Sequence, residues 1–79
     1  MSNKIKISIP PKHGEIDAAQ AIVSLHAENG HAGKLDGAET VLRSKAERLE
    51  REGHHHEASK VAALASLAMG AAQDVRDTK

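Results

Sequence analysis

The residue types best able to do chemistry in this chain are its histidines. Six stand among 79 residues, and His54, His55 and His56 are consecutive, with Glu57 next. Neutral imidazole is a good ligand for zinc, nickel or copper. A metal site needs converging donors, commonly three or four residues apart on one helix face. Consecutive histidines point in different directions, so the cluster offers His54, His56 and Glu57 as its metal candidates, and only His54 with Glu57 has ligand spacing. The expectation is a solvated turn and no cofactor. His26, at the border of an apolar helix face, reads as a half-buried, hydrogen-bonded histidine and not a ligand.

Other chemistries fare worse. The chain has no cysteine, so disulfides, thiolate nucleophiles and Cys-based zinc sites are excluded. Ser24, Ser44, Ser59 and Ser66 fall in helical stretches, and no serine sits at a strand-to-helix elbow. Gly30-His31-Ala32-Gly33 fits neither the dinucleotide nor the P-loop pattern. Most carboxylates take capping positions or face an arginine. The sequence reads as that of a non-enzyme.

Lys4, Lys6 and Ser8 alternate with Ile5, Ile7 and Ile9. This period-two pattern with β-branched residues predicts a strand over 3–9, ended by Pro10-Pro11. No second strand-like segment follows, so its expected partner is the same segment of another copy. The chain then divides into an arm, 1–13, and a helical part, 14–79, within a single domain.

Three helices are predicted. The first opens at Asp17, capped with Gln20, and buries Ile16, Ala19, Ile22, Val23 and Ala27 before Asn29-Gly30. The second opens at Asp36, capped with Glu39, carries a stripe of Leu35, Ala38, Val41, Leu42, Ala46 and Leu49, and ends at Gly53. Its other faces are charged, with Glu39–Arg43 and Glu47–Arg51 at favourable i,i+4 spacing. The third runs from 55–57 to about Val75. One stripe is Val61, Leu64, Ala68, Ala71 and Val75; beside it lie Ala58, Ala62, Ala65, Met69 and Ala72. The short joint at 52–56 predicts an antiparallel hairpin of the second and third helices.

Two resemblances follow. Leu49-Glu50-Arg51-Glu52-Gly53 with Glu57-Ala58 is similar to the hairpin of tetratricopeptide-type repeats; a single hairpin carries no function across. The order strand–helix–helix, with Lys4, Lys6 and Ser8 facing one way, resembles the ribbon-helix-helix DNA-binding proteins. That resemblance implies strands of two chains paired antiparallel, with Lys4, Lys6 and Ser8 entering the major groove. Asp36 and Glu39 at the start of the second helix oppose the phosphate such proteins meet there.

The charge balance, 11 basic against 11 acidic residues, speaks against a protein held on nucleic acid by overall charge. No segment has the apolar length to span a membrane, and residues 1–11 lack a signal-peptide block, so a cytoplasmic setting is expected. Phe, Tyr and Trp are absent, and 14 of the apolar residues are alanine. So thin a stock of bulky side chains predicts a homo-oligomer. The expected architecture is mainly α: a short N-terminal strand and three helices, assembled through Ala58, Ala62, Ala65, Met69 and Ala72 and through Ile5, Ile7 and Ile9. The expected function is a non-catalytic protein-binding module, an adaptor or an inhibitor of the phage-inhibitor or antitoxin type, whose partners are itself and an unidentified protein. DNA regulation and metal binding are the alternatives.

Overall fold

A computed structural model describes residues 4–78. Its elements are α1 (Glu15–Glu28), α2 (Ala32–Arg51) and α3 (His55–Asp77). The stops foreseen at Gly30 and Gly53 are where the chain turns, and both turns are built alike. Gly30 sits at φ +69° and Gly53 at φ +85°, the left-handed region that favours glycine. The N–H of His31 donates to the His26 carbonyl at 2.9 Å and that of Gly30 to Ala27 at 3.2 Å. His54 donates to Leu49 at 2.9 Å and Gly53 to Glu50 at 3.1 Å. This double bond pattern closes both helix ends within three residues.

The starts differ from expectation. None of the N-cap residues, Gly14, His31 and His54, makes a side-chain cap hydrogen bond. Asp17 and Asp36 lie inside their helices and are not caps. Gly14, at φ +82°, turns the chain into α1 early. The tight reversal at Gly30 likewise starts α2 before Asp36. The two capping-box residues of α2 serve elsewhere: Asp36 pairs with Arg76 of α3, and Glu39 with Arg43 at 3.1 Å.

The Asp36–Arg76 pair joins the beginning of α2 to the end of α3. At the other end the His55 ring lies 2.8 Å from the Glu50 carboxylate. The two helices therefore form an antiparallel hairpin and pack closely along their length. Leu35, Leu42 and Leu49, seven residues apart, are all fully buried. They meet the Val61, Ala65, Ala68 and Ala72 side of α3, all buried as well. Large side chains on one helix and methyl-sized ones on the other let the helix axes approach closely. α1 adds Ala19 and Val23 to this core.

This packing corrects the expected assembly surface. Ala58, Ala65 and Ala72 are buried against the chain's own α2 and α1. The two apolar stripes of α3 form one broad inward face, with Ala62 partly buried at its edge and Met69 outside it.

The N-terminal segment is corrected too. No strand is present among the described residues. Ile7 is 1 % exposed and belongs to the core, with Ile5 and Ile9 packed against it. The alternation was real, but its apolar side is satisfied by helices instead of a neighbouring strand. Glu15 of α1 fastens the segment: its carboxylate accepts the Ser8 N–H at 2.8 Å, the Ser8 hydroxyl at 2.9 Å and the Lys12 N–H at 2.8 Å. The Ile9–Pro10 peptide is cis.

Candidate functional site

The outer side of α3 stands apart from the rest of the surface. At about 100° per residue, the buried residues Val61, Leu64, Ala65, Ala68, Ala72 and Val75 occupy one half of the helix. Down the middle of the opposite half run Ser59, Ala63, Ser66 and Gly70, all exposed. Leu67 flanks this line on one side, 48 % exposed, and Met69 on the other, 51 % exposed. No charged residue occurs from Val61 to Gln73. Lys60 and Asp74 close the stretch at its two ends, both exposed and neither in an ion pair among the described residues.

The exposed side of α2 has the opposite character. Arg43, Glu47, Arg48, Glu50 and Arg51 face solvent, with Glu39–Arg43 and Arg48–Glu52 bridged at 3.1 and 3.3 Å. That is an ordinary solvated helix face. α3 has instead a neutral channel of small side chains between two large apolar ones, Leu67 and Met69.

A groove of about 740 Å³ runs beside this face on the Leu67 side, between α3 and the start of α1. Ala63, Leu64 and Leu67 line it, as do Lys12, Asp17, Glu57 and Lys60. Its charges are mixed, so it has no preference for an anion or a cation. A second hollow, of about 500 Å³, lies where Ile5 of the arm meets Ile22 of α1 and Val41 of α2. Lys4, Lys34 and His26 also border it.

His26 differs from its sequence reading. It is 5 % exposed, and its Nδ1 is buried with no hydrogen-bond partner. Burial lowers its pKa from 6.5, and the positive charges of Lys34 and His31 lower it further. The His31 ring lies 6.2 Å away, tilted by 44°. Since Nδ1 is closed off, no ligand in the adjoining hollow reaches it in this conformation.

The remaining candidates are scattered. His54 is partly buried at the α2–α3 turn, His56 is exposed, and Glu57 turns towards the groove. Among the described residues no group of three or more His, Asp or Glu converges as metal ligands. Ser8 is engaged by Glu15, while Lys4 borders the smaller hollow and Lys6 is exposed. Residues 4–9, which would form the ribbon, carry no strand in this chain. No helix among the described residues is long and apolar enough to cross a membrane.

The sequence pattern puts the assembly face of α3 on Ala58, Ala62, Ala65, Met69 and Ala72; of these Ala58, Ala65 and Ala72 are buried in the chain's own core and Met69 is exposed. The uncharged stretch between Lys60 and Asp74, with Ser66 and Gly70 inside it, is legible in the sequence. No family model, curated protein or solved structure matches this chain.

Proposed function

We propose that this chain is a small non-catalytic protein-binding module and that the outer face of α3 is its binding surface. One observation carries the reading: an exposed helix face about 20 Å long that bears no charge, in a chain where 28 % of residues are charged. Charge on an exposed helix keeps a protein apart from others, and its removal over several turns costs solubility unless another surface covers the helix. Glycine at position 70 strengthens the case. A Cβ there would meet nothing within 4 Å, so the chain's own packing has room for an alanine at this position. Mid-helix glycine costs about 1 kcal/mol relative to alanine, and close approach of an outside chain gives it a use. A module of this kind works by occupying part of another macromolecule, as an adaptor or an inhibitor does.

The test is a double substitution, Leu67→Glu with Met69→Glu. Both side chains are half exposed, so helical content by circular dichroism is expected to stay unchanged. Self-association in sedimentation velocity and capture of proteins from the native host are both expected to disappear. A folded variant that keeps the parent's complexes would remove α3 as the binding surface.

A further inference from the structure

Building on that reading, we propose that the Leu67 side of the outer face of α3 is covered by α3 of a second copy of this chain, packed antiparallel and centred on Leu67. The argument starts from spacing. Lys60, Leu67 and Asp74 are seven residues apart, and seven residues are nearly two helical turns, so the three lie along one line of the helix. Ala63 and Gly70 form a neighbouring line, and Ser59, Ser66 and Gln73 the next.

A second identical helix can lie on this face in two directions. In the parallel direction Lys60 meets Lys60 and Asp74 meets Asp74, which is repulsive at both ends. In the antiparallel direction, residues equidistant from the centre stand opposite each other. With Leu67 at the centre, Lys60 of each copy faces Asp74 of the other, and the two ion pairs close the uncharged stretch from both ends. Neither charge has an ion partner within its own chain among the described residues, so neither needs to be released from one. The same register sets Ala63 of one copy near Gly70 of the other, where methyl-sized and absent side chains permit an interaxial distance of about 8 Å. Leu67 meets its own counterpart. Such a contact is isologous and closes after two copies.

The groove beside α3 fits the arrangement. It borders Lys60, Ala63 and Leu67 on the side facing the start of α1, so Leu67 has open space on that side. A single helix pair of this length buries an area at the low end for specific interfaces, and association in the micromolar range is expected.

The decisive measurement is a charge-reversal cycle on the full chain by sedimentation equilibrium at low salt. Lys60→Glu and Asp74→Lys are each expected to weaken the dimer about tenfold, since each converts two attractive contacts into two repulsive ones. The double variant, Lys60→Glu with Asp74→Lys, is expected to regain the parent's affinity to within about threefold, because the swapped charges again face each other. Damage to the fold would not be rescued in this way. Two further variants fix the register. As the chain has no cysteine, Leu67→Cys is expected to form a disulfide-linked dimer on oxidation faster than Glu47→Cys on the outer face of α2. A Cβ at Gly70 meets nothing within 4 Å of its own chain, so Gly70→Leu is expected to stay folded while losing the dimer.

The outcomes separate the two readings. A dimer indifferent to both reversals, or one weakened by each and not rescued by the double variant, overturns the antiparallel register and leaves self-association standing. A parent that stays monomeric at high micromolar concentration overturns the second copy as occupant. If captured host proteins then still depend on Leu67 and Met69, the binding face stands with a different partner; if nothing is captured, both readings fall.

Discussion

His26 is where this fold departs furthest from what its residue types invite. A buried nitrogen without a partner costs about 1–3 kcal/mol, and Nδ1 of His26 is such an atom. His26→Leu keeps the bulk and removes the orphaned atom, so urea unfolding at neutral pH is expected to show a gain of about 1 kcal/mol. The pH dependence has a definite sign. Burial first, then Lys34 and His31, lowers the pKa of His26 from 6.5 in the folded chain. Between 6.5 and the lowered value the unfolded chain binds the proton and the folded one does not, so stability falls as the solution is acidified through that window. The leucine variant is expected to lose this part of the pH dependence. Glu15 titrates on the same rule at lower pH. The N–H groups of Ser8 and Lys12 and the Ser8 hydroxyl lower its pKa from 4.5. Its hold on the arm is complete above 4.5 and is lost as pH falls through the lowered value. By NMR, the Ser8 and Lys12 amide resonances are expected to titrate together with a midpoint below 4.5. Ser8→Ala is expected to raise that midpoint, because one donor to the carboxylate is gone.

At the scale of the element, helix ends were legible and helix starts were not. A left-handed position immediately after a helix admits glycine almost alone, so Asn29-Gly30 and Gly53 marked their turns unambiguously. An acidic residue near a helix start is a weaker marker, because aspartate also serves in ion pairs; Asp36 bonds Arg76 instead of a backbone amide. The heptad of Leu35, Leu42 and Leu49 announced the buried side of α2. The predicted hairpin names α3 as the helix that receives it but not which side of α3 does so, and the alanines of α3 therefore read as a face for a second subunit. The segment 4–9 shows the same limit: alternation reports which side chains are buried, while strand pairing depends on a partner for the backbone. Two kinds of glycine make opposite predictions. Gly30→Ala and Gly53→Ala force a side chain into the left-handed region and are expected to cost about 1–2 kcal/mol each. Gly37 lies within α2 with open space around its missing Cβ, so Gly37→Ala is expected to stabilise by about 1 kcal/mol. Chemical denaturation of the three variants checks both signs.

For the whole molecule, the absence of aromatic residues suggested a chain that must assemble in order to fold. The core shows another solution. Leucines of α2 fill the space left by alanines of α3, and the remaining side is closed by α1 and by Ile7 from a segment with no regular structure. A second copy on the outside of α3 would therefore add to a core that one chain already closes. The arm is the economical part of this design and the most exposed to test. Ile7 is 1 % exposed, while Ile5 and Ile9 are only partly buried. Deleting its buried methylenes in Ile7→Ala is expected to cost about 2–4 kcal/mol, out of about 4–12 kcal/mol for a chain of this length. Ile5→Ala is expected to cost less than half as much, as its side chain is partly solvated already. A paired strand gives a different result: there the loss at Ile7 would depend on protein concentration, because removing it would break an interface. An unfolding midpoint for Ile7→Ala that shifts by the same amount from the parent at 5 and 200 µM would place Ile7 in the core of one chain. A shift that grows with dilution would return the segment to a role between copies.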